Sequence, residues 1–173
     1  MSDTQLSARI QRLEDRESIR ELVSRYSLAV DDHDFASLGR LWHPDAIYGW
    51  VGMPAQAEGA TAIVALLEER IGPSGPSFHV NHDQIVEWHD HDADRASGLV
   101  FCHAEVSPGG QHYQSAIRYQ DKYVRHEGRW LFAERRLAFL YFVQPSEYDG
   151  ILVQKDRMRP GGIRNDAHWP AFG

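Results

Sequence analysis

Cysteine is nearly absent from this sequence, since Cys102 is the only one among 173 residues. A single thiol cannot form an internal disulfide, and this usage is typical of a reducing compartment. No segment approaches the roughly 20 consecutive apolar residues of a membrane helix. The polar start MSDTQLSARIQRLEDR also lacks the apolar core of a signal peptide. The sequence therefore predicts a cytoplasmic protein with no membrane partner.

Clustered positive charge is missing as well. Eighteen basic residues stand against 25 acidic ones, which gives a net charge of −7, whereas nucleic-acid binding requires basic clusters. The sequence has no P-loop, no G-x-G-x-x-G and no G-x-S-x-G, so nucleotide binding and nucleophile-elbow hydrolysis lack support. It also has no cysteine pair and no HExxH helix, and we expect neither a metal nor a cofactor.

What is present indicates one globular domain. Apolar residues make up 42% of the chain and charged residues 25%, which is ordinary globular composition. A domain of this length buries roughly 70% of its unfolded surface, enough for a core that contains a cavity.

The first 76 residues predict three helices and one strand. Apolar side chains at helical spacing indicate a first helix from about residue 7 to 31. Asp34 can cap a second, short helix that carries Leu38 and Trp42 and ends at His43-Pro44. A strand is expected over residues 46–51. A third helix, over residues 63–71, ends in the GPSGP segment.

The remainder of the chain changes to strands rich in β-branched and aromatic residues. Four are predicted, over residues 79–90, 95–106, 112–125 and 129–143, with HDAD, SPGG and HEG as turns. Helices followed by an antiparallel meander indicate an α+β domain with its helices on one face of the sheet. We expect this domain over residues 1–143 and an irregular tail over 144–173, packed on the body or on a partner subunit.

The stretch YSLAVDDHD (26–34) ends the first helix in three acids and a histidine. Acids at a helix C-terminus oppose its dipole. The simplest interpretation leaves Asp32 and His33 in solvent and makes Asp34 the cap of the next helix. Asp31 lies at the margin of the apolar stripe, so periodicity leaves open whether it faces solvent or takes part in catalysis.

Three further patterns have both a structural and a functional interpretation. In SFHVNHDQIV, His79 is either a satisfied strand residue or an acid–base group. WHDHDAD (88–94) could offer His89 and His91 to a metal, but a hairpin turn accounts for the segment more simply. In ERR (134–136), one arginine must face the concave side of the sheet, where it needs an anionic partner.

Taken in order, RESIRELVSRYSLAVDDHDFASLGRLWHPDAIY, FHVNHDQIV and YVRHEGRWLFAERR resemble the SnoaL-like branch of the nuclear transport factor 2-like (NTF2-like) superfamily. The resemblance implies a cone-shaped α+β fold, in which a curved antiparallel sheet wraps around helices and encloses an apolar pocket. Within the superfamily the sequence is similar to scytalone dehydratase, hexachlorocyclohexane dehydrochlorinase and the bile acid 7α-dehydratases. Those lyases use an aspartate at the end of the first long helix and a histidine at the start of a strand.

Four residues of this sequence match family positions. Asp31 and His79 match the aspartate and the histidine, which implies a general base, His79, oriented by Asp31. Tyr26 matches a tyrosine of the bile acid dehydratases, which implies a hydrogen bond to the substrate or the leaving oxygen. Arg135 matches an arginine of the dehydrochlorinase, which implies stabilisation of developing negative charge. By position and type, we expect the apolar walls of the substrate pocket to be Trp42, Trp50, Phe78 and Phe139.

The resemblance implies a cofactor-independent lyase of the dehydratase type, acting on a small apolar or aromatic hydroxylated substrate. Trp50 and Val30 stand where scytalone dehydratase has water-holding tyrosines, which argues against scytalone itself. The same pocket could instead serve a double-bond isomerase, a polyketide cyclase, or a carbon–carbon lyase that releases formaldehyde from a lignin-derived diaryl compound. Non-enzymatic alternatives are a ligand-binding or assembly module. A homodimer or homotrimer is expected, because many domains of this fold pair through the outer face of the sheet.

Overall fold

The computed structural model describes residues 2–89 and 91–169. The last residue of the predicted strand over 79–90, which also belongs to the WHDHDAD segment, lies outside the described residues. The final four residues of the predicted tail lie outside them too.

Three α-helices form one layer of the domain. Helix α1 (Asp3–Asp31) begins with a capping box, in which Ser2 Oγ accepts from Gln5 N at 3.3 Å and Gln5 Oε1 accepts from Ser2 N at 3.0 Å. Helix α2 (Phe35–Gly39) is capped by Asp34, whose carboxylate accepts from Ser37 N at 2.9 Å, as the sequence predicts. Helix α3 spans Ala60–Ile71 and ends at Gly72.

Six strands form a single mixed sheet in the order β2-β1-β6-β5-β4-β3. The strands are β1 (Trp42–Trp50), β2 (Ala55–Glu58), β3 (Phe78–His89), β4 (Asp92–Val106), β5 (Tyr113–His126) and β6 (Arg129–Val143). Strands β3 to β6 form the predicted antiparallel meander, while β1 lies parallel to β6. The predicted α+β class is confirmed, with the sheet curved around the helices.

The second helix is shorter than predicted. It ends at Gly39, and Trp42 is the first residue of β1 rather than the last of the helix. The pairing with β6 decides this, because Phe132 N donates to Leu41 O at 2.9 Å and draws the chain into the sheet. Both conformations bury Trp42, which is 3% exposed, so its hydrophobicity could not distinguish them.

The core lies between the helices and the inner face of the sheet. The inward stripe of α1 follows the helical period and consists of Ile19, Leu22, Val23, Tyr26 and Val30, each at most 5% exposed. It packs against side chains such as Phe132, which is fully buried. Among the described helices, none combines the length and the apolar character that crossing a membrane requires.

The described part of the tail, residues 144–169, is irregular and contains three short 3-10 turns. Met158 forms a parallel bridge with Phe142 of β6. The side chain of Arg157 is buried and donates from Nε to Leu140 O at 2.8 Å. These contacts hold the tail against β6.

Candidate active site

The turn after α1 sets the direction of Asp31. The N–H of Asp32 closes the helix on Leu28 O at 2.9 Å, and His33 then adopts a left-handed conformation with φ of 54°. A left-handed residue just after a helix reverses the chain. Asp31 therefore stands in the last turn of α1, against the start of β3, with its side chain only 16% exposed.

Three hydrogen bonds from the start of β3 converge on the Asp31 carboxylate. Ser77 Oγ donates to Oδ1 at 2.7 Å, His79 N donates to Oδ2 at 2.8 Å, and the Nδ1 atom of His79 lies 2.6 Å from Oδ1. Burial would raise the pKa of Asp31, but the bonds from His79 and Ser77 outweigh it and lower the pKa below its ordinary value. The carboxylate is thus ionised near neutral pH.

An ionised Asp31 fixes the tautomer of the neutral His79 ring. Since the carboxylate can only accept, Nδ1 carries the proton and Nε2 keeps its lone pair. The described residues provide no hydrogen bond to Nε2, and the ring lines an internal cavity of about 260 Å³. Asp31 does not line this cavity. It holds the imidazole from behind, while Nε2 remains available to a bound molecule.

The cavity has mainly apolar walls with a few polar groups. Its apolar lining includes Val30, Trp50, Ile117, Leu137, Phe139 and Phe142. Three tyrosines on different elements, Tyr26 of α1, Tyr48 of β1 and Tyr119 of β5, also line it. Burial raises the pKa of each phenol above its ordinary value, so all three hydroxyls stay protonated and can donate.

Arg135 lies behind this cavity and does not line it. Its side chain is fully buried and forms a bidentate pair with Asp121, Nε to Oδ1 at 2.9 Å and Nη2 to Oδ2 at 2.7 Å. The guanidinium also lies 4.2 Å from the ring centres of Tyr26, Tyr119 and Phe132. Burial would lower the pKa of Arg135, but Asp121 raises it above its ordinary value. The predicted anionic partner of the inward arginine is therefore Asp121, and Arg135 contacts the rings of two cavity tyrosines rather than the cavity itself.

Of the four residues expected to form the cavity walls, two line the cavity and two do not. Trp50 and Phe139 line the cavity, with ring centres 6.2 Å apart. Trp42 lies in the core, 5.1 Å from Phe132 between ring centres, and is not part of the wall. Phe78 is 63% exposed on the outer face of β3. Neighbouring strand residues point to opposite faces, so the strand that turns His79 inward must turn Phe78 outward.

The lining residues that sequence reasoning did not assign to the site include Ser77, Tyr48 and Tyr119. Ser77 precedes His79 by two residues, and this spacing is the signal that could have placed both on one face. Tyr48 lies inside the predicted strand 46–51 with no pattern to distinguish it. Tyr119 belongs to an aromatic stripe that could equally have served an interface.

The other acids and histidines of these sequence motifs do not line the cavity. Asp34 caps α2, and Asp32 is exposed. The Nε2 atom of His89 lies 2.9 Å from Ser97 Oγ. Across residues 2–89 and 91–169, no three histidine, cysteine, aspartate or glutamate side chains gather as metal ligands would.

The fold and the cavity define an NTF2-like α+β domain, and comparison with family models gives the family. The SnoaL-like domain model matches residues 11–136, so this chain belongs to the SnoaL-like family. A search of curated proteins finds no significant match.

Solved structures share the fold. A type 2 hexachlorocyclohexane dehydrochlorinase, LinA, superposes with a TM-score of 0.71 at 23% identity, over 78% of this chain and 91% of that chain. A candidate scytalone dehydratase from Novosphingobium aromaticivorans gives 0.69 at 20% identity, over 77% and 89%. An NTF2-like protein with a cystatin-like fold, also from N. aromaticivorans, gives 0.64 at 28% identity, over 88% and 97%.

Proposed function

We propose that this protein is a cofactor-independent lyase that eliminates water from a small apolar or aromatic hydroxylated substrate. The observation that carries the proposal is the His79 ring. It lines an apolar cavity, and its Nδ1 atom lies 2.6 Å from an ionised carboxylate behind it. This is the arrangement of a general base with an orienting partner.

His79 would remove a proton from a carbon next to a carbonyl, phenol or similar activating group. The electron pair of that C–H bond forms the new double bond, and the neighbouring C–O bond breaks. The hydroxide that leaves takes a proton, returned by the His79 imidazolium, and departs as water. Asp31 stabilises the imidazolium while it exists, because the carboxylate accepts the charged Nδ1–H.

The tyrosines would bind the oxygen that gains negative charge. Tyr26, Tyr48 and Tyr119 present protonated hydroxyls to the cavity, and donors in a site shielded from water stabilise developing charge strongly. Arg135 would act as a positioning residue, since its guanidinium packs against the rings of Tyr26 and Tyr119.

Similarity to known proteins supports the same class of reaction. The chain belongs to the SnoaL-like family. Structures of the same fold include one named as a dehydrochlorinase, which removes a leaving group by elimination, and one named as a candidate dehydratase. The cavity of about 260 Å³ suits a small molecule.

A screen of aromatic alcohols, diols and hydroxy acids tests the proposal. Elimination extends conjugation, so product formation is followed by ultraviolet absorbance. We expect turnover by the wild type and a loss of roughly 10²–10⁴-fold in His79→Gln, since that variant has no general base. His82→Gln is the matched control, because His82 lies on the same strand but is exposed on its outer face.

Two results would count against the lyase. One is a His79→Gln variant that turns over as fast as the wild type. The other is a wild type that binds members of the panel in the cavity but eliminates none of them, which favours the ligand-binding module.

A further inference from the structure

The cavity lining carries an uncompensated positive charge. Arg70 is the one arginine or lysine among the described residues that line the cavity, and no aspartate or glutamate is among them. Within the described part of the chain, no carboxylate lies within 4.0 Å of its guanidinium, whereas most other buried or cavity-side arginines are ion-paired. On a protein with a net charge of −7, this is an unusual place for a free cation.

Arg70 stands at the opening of the cavity and reaches inward. It lies in the last turn of α3 and is exposed, although it also lines the cavity. Its Nη1 atom donates to Gln56 Oε1 of β2 at 2.9 Å, which fixes one side of the guanidinium. Its charge is felt at the buried Tyr48 hydroxyl, where it favours the phenolate. The remaining N–H groups of the guanidinium are available to a ligand.

The size of the cavity limits the molecule it can hold. A volume of about 260 Å³ lies just below the range of roughly 300–1,000 Å³ that is usual for pockets of drug-sized ligands. That is enough for one ring with a short side chain. A second aromatic ring would have to project through the opening past Arg70.

We propose that Arg70 binds a carboxylate of the substrate at the cavity opening, so that the substrate is a compact, single-ring hydroxy acid. The inference rests on the proposed function for the hydroxyl group, while the carboxylate and the size come from Arg70 and the cavity. The ring lies against Trp50 and Phe139, its reacting carbon faces His79, and its carboxylate stays at the partly hydrated opening. An arginine suits this role because its planar fork matches both carboxylate oxygens.

A second role for Arg70 is structural. A cation in the last turn of a helix stabilises the carbonyl end of α3, and the bond to Gln56 ties α3 to β2. Both effects would change stability, but neither would distinguish a charged ligand from a neutral one of the same shape. Ligand selectivity therefore separates the two roles.

The test uses two probes of the same shape, 3-phenylpropanoate and its neutral amide, 3-phenylpropanamide. Their dissociation constants are measured by calorimetric titration into the full-length protein at low ionic strength. We expect the wild type to prefer the acid over the amide by about tenfold, which corresponds to about 1.4 kcal/mol. The preference should weaken as salt is added.

Variants locate the source of the preference. Arg70→Gln should bind acid and amide equally, and Arg70→Lys should keep part of the preference because it retains the charge. Arg20→Gln is the matched control, since it also removes one exposed helix arginine, and it should bind like the wild type.

Three results would overturn the proposal: no binding of 3-phenylpropanoate to the wild type, equal binding of the acid and the amide, or an unchanged preference in Arg70→Gln. The same titration on His79→Gln separates this inference from the lyase. Suppose that His79→Gln still prefers the acid over the amide, while the wild type eliminates no member of the screen. The carboxylate subsite would then be supported, and the proposed lyase function would be wrong.

Discussion

Replacing Asp31 by asparagine removes the negative charge behind His79 while keeping the size of the side chain. Asp31 accepts three hydrogen bonds, two at Oδ1 and one at Oδ2. An asparagine whose oxygen takes the place of Oδ1 must turn its NH₂ toward the backbone N–H of His79. Two donors then face each other, and the bond from Nδ1 is no longer charge-assisted.

These losses give the expected magnitude. A partly buried donor left without an acceptor costs about 1–3 kcal/mol. In a protein of this size each kcal/mol lowers the melting temperature by about 2–4 °C. We therefore expect Asp31→Asn to melt roughly 2–12 °C below the wild type at neutral pH. It should also lose roughly 10²–10⁴-fold in elimination, because the imidazolium has lost its counter-charge.

The pH dependence has a definite sign. The pKa of Asp31 is lowered by folding, so the unfolded chain takes up the proton first as the solution is acidified. The stabilisation is complete above the ordinary carboxyl value of 3.8 and is lost as the pH falls through the lower folded value. The stability gap between wild type and Asp31→Asn should therefore shrink as the pH falls below about 4.

Urea denaturation followed by circular dichroism, at a series of pH values, measures this gap. Asp32→Asn is the matched control, since its neighbouring carboxylate is exposed and should contribute little. Equal stability of wild type and Asp31→Asn at neutral pH would refute the reasoning. So would a gap that stays constant well below pH 4.

Three further outcomes follow from buried groups. Asp121→Asn leaves the Arg135 charge buried without its partner, so the free energy of unfolding measured in urea should fall by about 3–5 kcal/mol. If Asp121→Asn loses less stability than Tyr26→Phe does, this reasoning is wrong. Tyr26→Phe should fold normally but lose roughly 10²–10³-fold in elimination if its hydroxyl binds the developing oxyanion; unchanged turnover would remove that role. Burial raises the pKa of the Cys102 thiol to about 11, so iodoacetamide should label it only in urea, and prompt native labelling would contradict this.

Much of the fold could be predicted because its patterns are local. The α1 stripe repeats at the helical period, and the turns HEG and SPGG separate long runs of β-branched and aromatic residues. Trp42 shows the limit of this approach. A buried residue between a short helix and a strand is compatible with either conformation. Pairing with β6, about 90 residues later in the sequence, determines that Trp42 belongs to a strand.

The contact of Asp31 with the start of β3 could not be predicted from local sequence patterns, for the same reason. Its position at the edge of the apolar stripe fits solvent or interior equally well. The partners that turn it inward, Ser77 and His79, are 46 and 48 residues away in sequence. The resemblance to known lyases supplied that pairing, whereas spacing within the chain could not.

The partner of Arg135 could not be predicted from the sequence because it depends on one irregularity in the pairing of β5 with β6. The hairpin turn sets a register in which Tyr123 pairs with Phe132, and continuing it would place Asp121 opposite Glu134. A bulge between Lys122 and Tyr123 moves Asp121 opposite Arg135 instead. This shift replaces a like-charged pair with a buried ion pair beside the cavity tyrosines. Strand alternation predicts that an inward arginine needs an anionic partner, but only the bulge determines that this partner is Asp121, and the paired Arg135 does not line the cavity.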